Sequence, residues 1–140
     1  MGDLKNIILL VILSLGAIDD YRRMKIDNLI ILFGIISAGY FRCSLPYGDI
    51  FSLLKDAALP VVVLFFFYCT GGLGAGDIKL ISVVSLFTGF ENTLYVIFFS
   101  GCAGLVLYAA VVLSGQKPGK IRFAFPILIG TFCGMIYRGL

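Results

Sequence analysis

A carboxylate follows a glycine-rich stretch in the middle of this chain, at the point where an apolar segment begins. Residues 71–80 read GGLGAGDIKL, and the acid is Asp77. A second acidic pair, Asp19 and Asp20, ends an earlier apolar run. Ionisable side chains at or inside a membrane are costly and are candidates for function. Two carboxylates that share a proton can do aspartyl chemistry, in which one activates water and the other polarises a carbonyl.

The composition predicts a membrane protein with a single domain. The chain has 140 residues, of which 60% are hydrophobic and 14% charged, and its mean hydropathy is +1.05. These values lie far from those of soluble domains. We therefore expect an all-α polytopic bundle over residues 1–140, with the lipid bilayer as a partner.

Several classes of function are excluded or disfavoured by residue content. A net charge of +3 from scattered basic residues does not predict nucleic-acid binding. Histidine is absent, so no Ser-His or Cys-His dyad can form within the chain. A zinc site is not expected for the same reason, and no cofactor is implied. The four cysteines form no C-x-x-C pair and lie in or beside apolar runs, which favours packing over a metal or disulfide role.

Polar residues divide the chain into six apolar segments. They run approximately over 4–18, 29–41, 57–70, 78–90, 93–114 and 121–137. Several are shorter than the ~20 residues that a spanning helix needs, and the fourth stays short even with its flanks. Irregular backbone at membrane depth, such as the glycine-rich stretch before it, is tolerated only inside protein or in a water-filled cavity. Residues 47–57 are polar on one helical face and predict a separate short interfacial helix.

Basic residues predict the orientation of the bundle. Three connections on one side carry Arg22, Arg23 and Lys25, then Lys79, then Lys117, Lys120 and Arg122. The positive-inside rule places that side in the cytoplasm and both termini outside. The same topology brings Asp19, Asp20 and Asp77 to the cytoplasmic face.

The individual residues also have structural interpretations. Asp19 and Asp20 lie about 100° apart on a helix, so only one can face the bundle axis, and Asp19 is more simply an acid at a helix end. Gly74 and Gly76 permit close backbone approach, as an extended peptide substrate would need. Lys79 either acts electrostatically on a carboxylate or is a snorkelling anchor.

The helix ends indicate how the two acids would share a proton. Asp20 ends a segment, where the helix dipole disfavours negative charge, whereas Asp77 begins one, where the dipole favours it. We therefore expect Asp20 to hold the proton more often.

At three places the chain resembles the type IV prepilin peptidases, in particular the short forms of tight-adherence (Flp-type) pilus systems, and more distantly the archaeal preflagellin peptidases. Residues 20–28, DYRRMKIDN, are similar to the family's D-x-x-x-x-x-I-P-N, which selects Asp20 over Asp19. Residues 74–80, GAGDIKL, match G-x-G-D-x-K-L and include Asp77. Residues 122–126, RFAFP, look like a late proline-containing stretch of the family.

The resemblance implies an aspartic membrane endopeptidase that needs no metal. Its catalytic residues would be Asp20 and Asp77, with support from Gly74, Gly76 and Lys79. It would remove the basic leader from a prepilin, just before the prepilin's hydrophobic helix, at the cytoplasmic face of the bacterial inner membrane.

Two departures from the family pattern bear on this expectation. Asp27 stands where the family usually has proline, which removes a rigid turn and adds a third carboxylate near the site. The chain also lacks the soluble cysteine-motif region of longer, methylating members, so we expect peptidase activity alone.

Other classes of function remain open on the sequence. One is a catalytically inactive membrane subunit of a pilus or secretion system, and another is a small proton-coupled transporter. A presenilin-like protease shares Gly-x-Gly-Asp, but the chain is short for that fold.

Overall fold

The computed structural model describes residues 2–23, 25–43, 50–70, 73–115 and 123–138. These residues form six α-helices and no strand, which confirms the all-α prediction. The helices are α1 (Gly2–Arg23), α2 (Asn28–Cys43), α3 (Ile50–Cys69), α4 (Ala75–Thr88), α5 (Phe90–Leu113) and α6 (Ala124–Arg138).

The outer surface of these helices is apolar, as expected for a helical membrane bundle. Helices α3 and α5 are each long and apolar enough to cross a bilayer, and α2 and most of α6 are shorter apolar helices. Large hydrophobic side chains such as Val62, Phe66 and Val106 point outward. Soluble proteins rarely expose such continuous apolar surface, whereas lipid accommodates it.

Helix α4 is the centre of the bundle. It packs against α1, α2, α3, α5 and α6, and most of its side chains are buried. Its 14 residues give a length of about 21 Å, which is less than the ~30 Å hydrocarbon core. The first residues of α4 can therefore lie inside the outline of the longer helices, where the packing of other helices surrounds them.

The separate interfacial helix predicted over residues 47–57 is wrong for the described part of that segment. Residues 50–57 are the first turns of α3, while 47–49 lie outside the described residues. The polar face that suggested an interface instead turns inward at Asp56, which is buried and pairs with Arg42. Helix α3 also continues through Pro60.

Glycines set the register between α1, α2 and α4. A Cβ atom at Gly34 of α2 would lie 2.7 Å from Val83 of α4 and 3.5 Å from Ile12 of α1. A Cβ at Gly16 of α1 would lie 3.2 Å from Leu80 of α4. Moving forward along α1 thus corresponds to moving backward along α4, so the two helices are antiparallel at close range.

Candidate active site

Asp77 lies in the first turn of the central helix and is buried, with 8% of the residue exposed. Its Oδ2 accepts a hydrogen bond of 3.0 Å from the backbone N–H of Gly74, the residue that caps α4. The backbone N–H of Asp77 donates in return to the carbonyl oxygen of Gly74 at 3.1 Å. Both the N–H donor and the positive helix terminus stabilise a carboxylate at this position.

The two motif glycines have close neighbours within the chain itself. A Cβ at Gly74 would lie 3.0 Å from Oδ2 of Asp77, so the missing side chain permits the carboxylate to cap the helix. A Cβ at Gly76 would lie 3.3 to 3.5 Å from three side-chain atoms of Ile26, in the turn between α1 and α2. These glycines therefore support the positioning of Asp77 and of the turn; their contact with a substrate stays a prediction.

The helix register brings Asp20 to the same end of the bundle as Asp77. Asp20 follows Gly16 by four residues, and Asp77 precedes Leu80 by three. Because Gly16 and Leu80 are in contact and α1 and α4 are antiparallel, each step of about one helical turn leads toward the same end. Asp20 is half-buried there, in the last turns of α1.

Lys79 ties the start of α4 to the start of α2. Its Nζ donates a hydrogen bond of 3.1 Å to Oδ1 of Asn28, and the residue is exposed. Of the two interpretations of Lys79, neither included this contact. The ammonium group joins two helices whose first turns carry the sequence motifs.

Asp19 makes its contacts within and beside the turn that connects α1 with α2. Its Oδ2 accepts a hydrogen bond of 2.8 Å from the backbone N–H of Asp27, across the turn between α1 and α2. Its Oδ1 lies 3.7 Å from Nε of Arg23, whose side chain is exposed. Asp19 thus contributes to the turn, although α1 continues past it to Arg23.

Asp27 stands where the family usually has proline, and its hydrogen bonds cap the start of α2. Its Oδ1 accepts from the N–H of Leu29 at 3.2 Å, and its carbonyl oxygen accepts from the N–H groups of Ile30 and Ile31. This is the pattern of an N-cap, for which aspartate is a preferred residue. A proline ring would stiffen this turn. Here the Asp27 side chain caps α2, and the backbone N–H of Asp27 donates to Asp19.

Comparison with known proteins places this chain in a family. A sequence model described as the type IV leader peptidase family matches residues 7–109. The chain belongs to the type IV leader peptidase family. The matched range contains most of α1, all of α2, α3 and α4, and most of α5, and so includes Asp20 and Asp77.

One relative of this chain comes from Bacillus subtilis (strain 168) and is named "Prepilin leader peptidase/N-methyltransferase". The two are 29% identical over 135 residues, which is 94% of this chain and 54% of the relative. The chain thus spans about half the length of that relative. No solved structure matches it.

The third motif, residues 122–126, leads into the start of α6. Its Arg122 is outside the described residues, while Ala124 begins α6 and Pro126 is buried in the first turn. Proline is tolerated there because the first N–H groups of a helix have no intrahelical partner. Helix α6 packs against α1 and α4, the helices that carry the aspartates.

Sequence reasoning missed the residues that join the elements of the site. Ile26 and Asn28 contact α4, and Gly16 and Gly34 permit the close approach of α1 and α2 to α4. Small residues inside apolar helices are a known signal of close packing in membranes, and both glycines carried it.

Proposed function

We propose that this chain is an aspartic endopeptidase that cleaves the leader from a type IV, Flp-like prepilin at the cytoplasmic face of the bacterial inner membrane. The observation that carries the proposal is the helix register, which leads Asp20 and Asp77 to one end of the bundle. Membership of the type IV leader peptidase family and the name of the Bacillus subtilis relative support it.

The two carboxyl groups would divide the chemistry between them. The N–H of Gly74 and the α4 terminus stabilise negative charge on Asp77, whereas Asp20 lies near a helix C-terminus. In the proposed reaction, ionised Asp77 takes a proton from water as the water oxygen attacks the scissile carbonyl carbon. Asp20 holds the shared proton and donates it to the carbonyl oxygen. The tetrahedral intermediate collapses when Asp77 passes its proton to the amide nitrogen, the C–N bond breaks, and a hydroxyl group of the intermediate returns a proton to Asp20.

The substrate would meet this pair with its hydrophobic helix in the membrane and its basic leader in the cytoplasm. A prepilin consists of a basic leader followed by a hydrophobic helix, so its cleavage point lies at the membrane surface. The end of the bundle with the two aspartates also carries basic residues in the last turn of α1, which the positive-inside rule places in the cytoplasm.

Co-expression with a prepilin tests the two aspartates. We expect Asp20→Asn and Asp77→Asn each to abolish the shift of the prepilin to its mature size, because an amide cannot exchange the required proton. Glu91→Gln is the matched control, since it removes an exposed acid from the first turn of α5, at the opposite end of α4. Each variant is compared at equal abundance in the membrane fraction.

Normal processing by either asparagine variant would remove that aspartate from the proposed pair. If the unmodified protein processes no prepilin, an inactive subunit becomes the better interpretation, and flux of protons into vesicles would favour a transporter. Mass spectrometry of the mature pilin reads the cleavage point. It also tests whether the new N-terminus is methylated.

A further inference from the structure

The hydrogen bond between Asp19 and Asp27 closes the turn that connects α1 with α2. Oδ2 of Asp19 and the backbone nitrogen of Asp27 are 2.8 Å apart, and the Asp19 side chain is only 16% exposed. The donor residue Asp27 is exposed, but a carboxylate acceptor still makes a stronger bond than a neutral one. By contrast, the Arg23 partner of Asp19 is 74% exposed and 3.7 Å away, a geometry that contributes little.

The residues on either side of Asp27 both contact the first turns of α4. Ile26 packs on Gly76, the residue before Asp77, and Asn28 accepts the hydrogen bond from Lys79, two residues after it. The N–H that Asp19 holds therefore lies between two contacts with the first turn of the central helix. A displacement of the turn would move both contacts together.

We propose that Asp19 is a positioning residue, which through the Asp27 amide holds the α1–α2 turn against the first turn of α4 and so sets Asp20 relative to Asp77. The catalytic half of this inference rests on the proposed function, whereas the structural half does not. Asp19 itself does not touch the reacting atoms in this scheme.

The structural half is tested by a disulfide between the turn and α4. A Cβ at Gly76 would lie 3.5 Å from the Cβ of Ile26, which is within the range found in disulfides. In a background where the four native cysteines are replaced by alanine, Ile26→Cys with Gly76→Cys is expected to cross-link on mild oxidation. Adding Asp19→Ala should slow the cross-linking severalfold, and adding Asp19→Asn should not, because the amide oxygen still accepts the Asp27 N–H.

Equal rates of cross-linking with Asp19 and with alanine at that position would overturn the proposal. So would the absence of any cross-link in the Asp19 background, since it would show that the turn is not held on Gly76. This measurement needs no peptidase activity, so its failure is separate from failure of the proposed function.

The catalytic half is tested with purified protein and a prepilin substrate. We expect Asp19→Ala to lower kcat by about tenfold to a hundredfold with little change in KM, the scale of a small misplacement of catalytic groups. Asp19→Asn should restore most of kcat, and Arg23→Ala should stay near the unmodified protein. A purely structural loss would instead lower the amount of folded protein without this dependence on the hydrogen-bond acceptor.

Proline at position 27 supplies the decisive comparison because it has no N–H to donate. In an Asp27→Pro background, Asp19→Ala should cause no further loss of kcat, whereas in an Asp27→Asn background, which keeps the N–H, the loss should persist. An effect of Asp19→Ala that is equal in both backgrounds, or an Asp19→Asn variant as impaired as alanine, would contradict the proposal.

Discussion

Gly34 determines how closely α2 approaches the central helix. The place where its Cβ would stand is already within 2.7 Å of a Val83 methyl group, which is closer than atoms of real side chains approach. In lipid, where the surroundings are as apolar as the helix faces, such close packing is a main source of helix association. The same contact also fixes the register that extends to Asp20 and Asp77.

Alanine substitution at two glycines of α2 tests this point. Gly34→Ala should destabilise the bundle by about 1–3 kcal/mol, because a methyl group must displace Val83 or move the helix. Gly39→Ala is the control, since no described atom lies within 4 Å of the position that a Cβ on it would take, and alanine is the better helix former. The free energy of unfolding in mixed detergent micelles measures both. Equal values for the two variants would contradict the register described above.

At the scale of elements, α4 has polar contacts at both ends. Its first turn carries Asp77, and its last turn meets an ion pair between Arg42 of α2 and Asp56 of α3. Arg42 Nε donates to the carbonyl oxygen of Leu86 at 3.3 Å, and Oδ1 of Asp56 accepts from the N–H of Phe90 at 3.1 Å. Those groups belong to the end of α4 and the start of α5, where helical backbone lacks partners.

The ion pair also accounts for the tight connection between α4 and α5. Gly89 alone separates the two helices and has φ of +85°, a conformation that glycine adopts without steric cost. Asp56 binds the residue after it, and Arg42 lies within 3.7 Å of the position of a Cβ on it. Four helices therefore meet at this one turn, at the opposite end of α4 from Asp77.

Removing both partners of the pair should cost less than the two single removals added together. Arg42→Met leaves a buried carboxylate without its counter-charge and is expected to destabilise the protein by about 3–5 kcal/mol. The double variant Arg42→Met with Asp56→Leu should lose less than the sum of the two single variants. Unfolding free energies of the two single variants, the double variant and the unmodified protein measure the coupling, and strictly additive losses would show that the pair contributes no mutual stabilisation.

At the scale of the whole molecule, the bundle has two chemically distinct ends. One holds Asp20 and Asp77 with the basic residues of α1, and the other holds the Arg42–Asp56 pair and the turn at Gly89. Because α4 runs from one end to the other, the side of the membrane on which one end lies also determines the side on which Asp20 and Asp77 lie.

Labelling of single cysteines tests the proposed orientation. In a background with the native cysteines replaced by alanine, we expect Arg22→Cys to react with a membrane-impermeant maleimide only after lysis of spheroplasts. Glu91→Cys should react in intact spheroplasts, since both positions are exposed and lie at opposite ends of the bundle. The reverse pattern would place the aspartates outside the cytoplasm and contradict the proposed site of cleavage.

Composition and local pattern were sufficient for the class of fold and for naming the candidate residues. Six apolar runs predict six helices because burial in lipid depends on the apolar character of each segment, which is a local property. The glycine-rich stretch predicted a helix after it, but α4 runs over Ala75–Thr88 rather than over the predicted 78–90, so its bounds were not predicted. The separate helix over 50–57 was wrong because a polar face does not show whether it meets water or, as with Asp56, an arginine from another helix.

Only the tertiary structure decided which residues hold the site together. Lys79 and Asn28 are 51 residues apart, Asp56 and Phe90 are 34 apart, and no local pattern pairs them. No local pattern predicts the packing of Ile26 against Gly76 either. The same is true of the hydrogen bond that the Asp27 N–H donates to Asp19 rather than to water. The sequence by itself determined a membrane bundle with two separated aspartates. Their placement at one end depends on helix register, which arises from close contacts between distant glycines and side chains.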